Sequence, residues 1–399
     1  MIKIEKLEAL FGELKKGFLD LNLHSRVHSL KGRKGEASDR GRRRERVKRD
    51  DELVSEGGRR RECVKRDDEL VSEGGRGRVF VKRDDELGGG KGSKVRKYCS
   101  LLPFLSSNYE KVILSGSIHS NNVFSLAQFL KETDLKVVPL LYSPNESLKR
   151  KGGEELGGNC LFSLMLLGEE YKMIRWLEKG EEHKMRQVGE EMGKKEGAFF
   201  IPEGADVEAS FDGSLTLPLD IFRNELELQL ESEERDERER CSLNPSSVHC
   251  NKFSKEPFQH FQHIFVDSGT GLTACCVVEG LKYLERKGIR KTETPTTVHV
   301  FQVAPSNGNI EFSDMMREKR KRIEEHISKN WNFSFINFQK EEKEKVQVQL
   351  HNLSNAASFG SVNSKVINFV VDFASKEGIL LDTVSFGSLP YFSPCLFQF

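Results

Sequence analysis

His263-Ile-Phe-Val-Asp-Ser-Gly-Thr-Gly-Leu-Thr273 reads as a strand that ends in a glycine turn and opens a helix. The apolar run is short enough for a buried strand, and Leu272 to Arg286 continues with apolar residues at helical spacing. Two glycines let the backbone turn tightly between the two elements. Amides at a helix N-terminus supply donors and the positive end of a dipole. Ser268, Gly269, Thr270, Gly271, Leu272 and Thr273 therefore form a candidate anion cradle, against the bland alternative of an ordinary strand-to-helix turn. The stretch has neither the Gly-Lys-Ser/Thr of a nucleotide P-loop nor the Gly-x-Gly-x-x-Gly of a dinucleotide fingerprint.

The same alternation extends in both directions. Downstream come a strand from Thr297 to Val303 and a helix from Phe312 to Lys329. Upstream, Lys111-Val-Ile-Leu-Ser is a buried strand, Asn122 to Leu130 a helix, Leu135 to Tyr142 a strand and Cys160 to Leu167 a helix. Strands spaced by helices predict βαβ units, hence an α/β fold with parallel sheets flanked by helices. Two separate sheets are expected. The smaller α/β domain is placed at 97–200, the larger one at 79–96 together with 201–399, and an N-terminal region at 1–78. Between the two series, Glu225 to Glu256 holds Glu231-Ser-Glu-Glu-Arg-Asp-Glu-Arg-Glu-Arg240 and reads as an exposed, poorly ordered insertion.

The N-terminal region contains a repeat. Val-Lys-Arg-Asp-Asp-Glu-Leu begins at Val47, Val64 and Val81, at intervals of 17 residues. The first two copies are almost wholly charged, have little to bury, and read as a solvated duplication over Arg40 to Glu73. The third follows Val79-Phe80 and leads into Gly88-Gly-Gly-Lys-Gly-Ser-Lys94, so it is predicted to be a real strand followed by a glycine turn.

Composition narrows the function classes. In 399 residues, 63 Lys and Arg almost cancel 62 Asp and Glu, leaving a formal charge of +1 that favours neither nucleic acid nor an anionic membrane. No apolar run approaches the roughly 20 residues of a membrane span, and Met1 to Lys15 lacks a signal-peptide core. A soluble cytoplasmic protein is expected. The eight cysteines, at 63, 99, 160, 241, 250, 275, 276 and 395, form no CxxC pair and read as reduced thiols. His249 and Cys250 have no further ligands at metal spacing, so no metal is expected. Cys275 and Cys276 lie on an apolar helix and read as core.

Two more segments could carry chemistry. In Gly92-Ser-Lys94-Val-Arg-Lys97 a lysine follows a glycine run at a helix start, where burial and nearby cations would keep it nucleophilic. The bland reading is a basic helix start. In Ser115-Gly-Ser-Ile-His119-Ser120-Asn121-Asn122, polar side chains at a strand end suit a carboxylate or a cofactor hydroxyl, and capping by Ser120 or Asn121 is the bland reading.

In this order the three segments resemble the D-cysteine desulfhydrase and 1-aminocyclopropane-1-carboxylate deaminase family. Lys94-Val-Arg-Lys97 is similar to the family's Gly-Asn-Lys-x-Arg-Lys motif, and Val79 to Leu87 to the strand before it. Ser117-Ile-His-Ser120-Asn121 resembles its Gly-x-x-Ser-Asn segment, with Ser117 in the glycine's place, and Ser268 to Thr273 its phosphate loop. Ile201-Pro-Glu-Gly-Ala205 and Gly378-Ile-Leu-Leu-Asp382 match more weakly. The resemblance spans roughly Arg78 to Gly387. It implies a two-domain, fold type II pyridoxal-phosphate enzyme, tryptophan synthase beta-like, with pyridoxal 5'-phosphate held by Lys94.

By the same resemblance Asn121 contacts the cofactor's phenolic oxygen, Ser268 to Thr273 bind its phosphate, Ser120 holds the substrate carboxylate or assists proton transfer, and Lys94 moves protons at the substrate carbon. The implied partner is a small amino acid, with room for a homodimer. The implied reaction is conversion of D-cysteine to pyruvate, sulfide and ammonia. Opening an aminocyclopropane ring is the alternative, tied by the resemblance to tyrosines that this chain lacks. After Asp382 the family reads Pro-Val-Tyr, then Thr or Glu, whereas here Ser385 and Phe386 replace the tyrosine and the pyridine-nitrogen partner. Phe359-Gly360 stands where deaminases carry a second Tyr-Gly. These departures motivate a third reading, a catalytically degenerate homologue that keeps the fold.

Overall fold

The computed structural model describes residues 7–12, 15, 23–29, 80–89, 92–142, 158–178, 180–243, 260–303, 311–331, 344–351 and 364–377. The first two repeat copies, the segments around Cys250 and Phe359, and the stretch from Gly378 through Ser385 and Phe386 lie outside them.

The α/β expectation holds, with two separate parallel sheets. The first is four-stranded: β3 (Lys111–Ser117), β4 (Lys136–Tyr142), β5 (Arg175–Trp176) and β6 (Phe199–Ile201) lie in the order β5-β4-β3-β6, every pair parallel. Because successive strand residues face opposite sides, Val112 and Leu114 enter one apolar cluster and Ile113 another. Helices α1 (Val95–Asn108), α2 (Asn121–Leu130) and α3 (Gly158–Leu167) contribute to the first cluster, and α4 (Met185–Glu196) to the second. This two-sided cover explains why β3 and β4 read as continuous apolar runs. The chain steps from β3 to β4 on one side and returns to β6 on the other. A crevice is expected where order reverses, outside the carboxyl ends of β3 and β6.

The second sheet is three-stranded: β7 (His263–Ser268), β8 (Thr296–Gln302) and β9 (Val346–His351), parallel and in sequence order. One face packs on α6 (Leu272–Arg286) and α7 (Phe312–Asn330), whose Cys275, Cys276, Val278 and Ile323 are buried with Val298 and Val300. The other face carries a hydrogen-bonded row, His263 to His299 to His351, at 3.0 Å each. Helix α8 (Ser364–Glu377) follows. Among the described residues no helix is long and apolar enough to cross a membrane.

One element differs from expectation, and another gains a partner that the sequence did not reveal. The segment read as an exposed insertion from Glu225 is helical as far as it is described, within the 33-residue α5 (Phe211–Leu243). Glu225 itself is fully buried, and Arg290, 65 positions away, reaches both its carboxylate oxygens at 2.7 and 2.9 Å. Window composition cannot register a partner so distant. The third repeat copy is structural, as expected: β2 (Phe80–Lys82) leads into a 3-10 turn, Asp84–Gly89. Its partner was not foreseen, because β1 (Val27–Ser29) is only three residues long and pairs with β2 in a small antiparallel sheet.

Candidate functional site

Lys94 stands half-buried at the head of α1, with helical φ −68° and ψ −20°. Gly92, at φ +78°, makes the turn before it, and Val95 N–H donates back to Gly92 O at 3.1 Å. The helix behind Lys94 is clamped by its neighbour Arg96, which is 2% exposed. Arg96 holds both oxygens of Asp84 at 2.8 Å, Asp220 at 2.7 Å and Leu23 O at 2.8 Å. Burial alone would raise the Asp84 carboxyl, but hydrogen bonds and charge from Arg96 outweigh it and hold the group below its ordinary value. Asp220 is treated likewise: burial opposes, and His24, Arg96 and Lys82 together bring it well down. The third repeat copy thus supplies Lys82 and Asp84 to the anchor of the lysine helix.

One turn further, Lys97 is buried and donates to Gly204 O at 3.0 Å. Burial first, and then the charge of Lys94, push its amine down to about 8. In the sequence Lys97 is legible only as part of a motif; its burial and its proximity to Lys94 emerge in three dimensions.

Ser120 caps α2, its hydroxyl accepting from Asn122 N–H at 3.0 Å. The bland role is therefore real, although a hydroxyl that accepts one bond retains a proton to donate. Asn121 Oδ1 accepts from Asn159, which also reaches His119 O at 3.3 Å. Asn122 is more deeply placed: Tyr98 of α1 donates to its Oδ1 at 2.8 Å, and its buried Nδ2 has no partner among the described residues. Tyr98 therefore ties the lysine helix to the head of α2.

At the end of β6, Glu203 accepts from Tyr142 at 3.3 Å and from the Ser117 backbone. Burial raises its carboxyl above the ordinary value despite these bonds. It lies at the carboxyl ends of β3, β4 and β6, where the strand order reverses. Its motif gave no sign of this role, since only the segment, not the carboxylate, had a counterpart.

The next residue, Gly204, has φ +75°, and a Cβ there would fall 2.3 Å from Thr270 Oγ1. That close approach brings the loop after β6 against the glycine turn after β7. In this turn Gly271 is left-handed at φ +86°, as the N-cap of α6 without a side-chain cap. The amides of Leu272, Thr273 and Ala274 follow it as first-turn groups that lack intrahelical acceptors. Ser268 is 2% exposed, and its hydroxyl has no partner among the described residues. A Cβ at Gly269 would meet open space. An orphaned buried hydroxyl, a side-chain-free position and a row of free amides suit a phosphate group.

The candidate residues are thus linked in space. Lys94 and Lys97 share α1; Lys97 reaches Gly204; Gly204 abuts Thr270; Glu203 meets the strand end that leads to Ser120 and Asn121. A run of contacts through Lys97, Gly204 and Thr270 therefore joins the lysine helix to the glycine loop. Among the described residues no cluster of His, Cys, Asp and Glu could hold a metal.

No family model matches the chain, and no curated protein does. Among solved structures, an ACC deaminase homologue is similar at 21% identity and a TM-score of 0.49, over 79% of each chain. The processed form of threonine deaminase isoform 2 from Solanum lycopersicum is similar at 11% identity and a TM-score of 0.40, over 78% of this chain and 73% of that one. Maize serine racemase is similar at 10% identity and a TM-score of 0.39, over 75% and 70%.

Proposed function

We propose that this chain is a pyridoxal-phosphate-dependent lyase or deaminase of small amino acids, with D-cysteine as its substrate. The observation that carries the reading is the buried Ser268 hydroxyl at the head of α6, without a partner among the described residues and joined to the lysine helix through Thr270, Gly204 and Lys97. Pyridoxal phosphate, when bound, supplies the electron sink for negative charge at the substrate α-carbon. Ser268 and the amides of 269–273 would hold the phosphate, Lys94 would hold the aldehyde carbon, and Asn121 would donate to the phenolic oxygen. The Lys94 amine would take the proton from the substrate α-carbon. Ser120 donates its hydroxyl proton to the substrate carboxylate while still capping α2. In this reading 97–200 is the smaller domain and the rest of the described chain from 79 the larger. In this reading the chain is cytoplasmic, where buried thiols such as Cys99, Cys160, Cys275 and Cys276 stay reduced.

The test is chemical trapping. Chain incubated with pyridoxal phosphate, reduced with borohydride and digested should carry the label on the Lys94 peptide, and Lys94→Ala should lose it. Label on a different lysine, or none, refutes the cofactor assignment. Pyruvate release from D-cysteine then decides the substrate. Label without turnover of D-cysteine or aminocyclopropane-carboxylate would favour the degenerate homologue that Ser385 and Phe386 motivate.

A further inference from the structure

The heptad Val81-Lys-Arg-Asp-Asp-Glu-Leu87 fits a groove cut to its shape and charge. Val81 and Lys82 pair with His28 and Val27 of β1. Lys82 Nζ lies 2.6 Å from Ser25 Oγ and 2.7 Å from Asp220. Asp84 accepts from Ser25 at 2.6 Å and from Arg96 at two points. Glu86 receives Arg26, and Leu87, 2% exposed, packs in the cluster of Leu23 and Val95. The receiving side is thus Leu23, Ser25, Arg26, Val27, Arg96 and Asp220.

Every heptad residue that makes these contacts recurs, in the same order, at 64–70 and at 47–53. The groove itself cannot tell the copies apart. Two features outside the heptad can. Phe80 packs edge-on against Phe261 with ring centroids 5.7 Å apart, whereas the equivalent residue is Cys63 in the second copy and Arg46 in the first. The connection to Lys94 would also lengthen by 17 residues if the second copy were seated. Lost ring contact and longer loop each disfavour the second copy by roughly tenfold. Their product leaves it on the order of 1% of molecules.

We propose that the groove is a docking site for this heptad as such, and that residues 64–70 of the same chain occupy it in a minor register. When they do, Lys94 is no longer tied to the groove by a short glycine turn but by a connection 17 residues longer, so the repeat acts on how firmly the lysine helix is anchored. The inference does not depend on a cofactor.

Two measurements on the full chain test it. Asp84→Ala weakens the main occupant, and Asp67 can replace Asp84 only if the second copy docks. The unfolding constant from urea titration should therefore rise at least threefold more in Asp50→Ala/Asp67→Ala/Asp84→Ala than in Asp84→Ala, while Asp50→Ala/Asp67→Ala alone matches wild type. Equal losses in the single and triple variants would overturn the proposal. If Asp84→Ala fails to fold, register can be read directly in the otherwise native chain. Ser29 faces Phe80 across the β1–β2 pair, so in the shifted register it faces Cys63. A Ser29→Cys chain under mild oxidant should give a 29–63 disulfide, mapped by peptide mass. Its rate should exceed at least tenfold that of a control with Cys63→Ser and Arg59→Cys. Equal rates, or a bond between two chains, would overturn the proposal.

Discussion

Two helix heads meet the same architectural problem in opposite ways. α1 begins with Lys94 and Lys97, and its first turn is clamped by ion pairs that Arg96 makes to Asp84 and Asp220. α6 begins with Gly271 and carries no charged side chain in its first turn, only amides and, one strand end away, the unpaired Ser268 hydroxyl. A helix N-terminus favours anions. α1 therefore places cations where its own dipole opposes them, and surrounding carboxylates compensate. α6 leaves the dipole unanswered. One head is balanced by carboxylates that the chain itself supplies, and the other presents first-turn amides with no charged side chain in that turn.

The largest effect should come from breaking the clamp at the first head. Arg96→Met leaves two buried carboxylates with reduced compensation and should cost about 3–5 kcal/mol, read as a shift of the urea midpoint. The pH dependence has a fixed sign. Asp84 and Asp220 are held below their ordinary value in the fold. They contribute stability above the unfolded value near 4, and lose it as pH falls through the folded values. In Arg96→Met the acid limb of unfolding should move to higher pH. An unmoved limb would show that the clamp does not set these titrations.

The second effect concerns Lys97. Its folded value of about 8 lies below the ordinary value of 10.5, so between them the unfolded chain binds more protons and stability rises with pH. The rise should reach at most about 3 kcal/mol, and the difference between wild type and Lys97→Met, followed by urea titration from pH 7 to 10.5, isolates it. A difference that stays flat across that range would place Lys97 in contact with water.

The same contrast explains what could be read in the sequence. The α6 head was legible because its logic is local: an apolar strand, glycines and an apolar helix lie within a few residues, and Leu272–Arg286 was placed at its observed limits. The α1 head was legible only as a motif. Its anchor draws on Ser25, Asp84 and Asp220, the last 124 positions from Arg96, and no window spans that distance. The reading of Glu225 as part of an exposed insertion failed for the same reason, since Arg290 neutralises it across 65 positions. Glu203 was hidden in another way: a carboxylate becomes unusual only once the ends of β3, β4 and β6 bury it.

A smaller effect should separate the second head from an ordinary turn. Ser268→Ala removes an unpaired buried hydroxyl, so without ligand the variant should be as stable as wild type or slightly more so. With pyridoxal phosphate, followed by its absorbance, affinity should fall about tenfold, the value of one hydrogen bond to a charged group. Inorganic phosphate should compete with the cofactor in wild type and compete less in the variant. Unchanged affinity in Ser268→Ala would leave the loop a turn and nothing more.

The smallest effect tests whether Ser120 does more than cap α2. Its hydroxyl accepts from Asn122 N–H, and removing a cap of this kind costs about 1 kcal/mol. Ser120→Ala alone therefore cannot distinguish a cap from a ligand-binding residue, because both roles are lost together. Ser120→Asp can. Aspartate caps a helix about as well as serine and its charge suits the N-terminal dipole, so the urea midpoint should stay within a few tenths of a kcal/mol of wild type. A fixed negative charge in place of a donating hydroxyl would repel a substrate carboxylate. D-cysteine should then perturb the cofactor spectrum of Ser120→Asp only at concentrations at least tenfold above those wild type requires, with the cofactor's own affinity unchanged. If D-cysteine binds both proteins equally, Ser120 is a cap, and the carboxylate partner must be sought two residues further into the helix, at the Asn122 side-chain amide, which has no partner among the described residues.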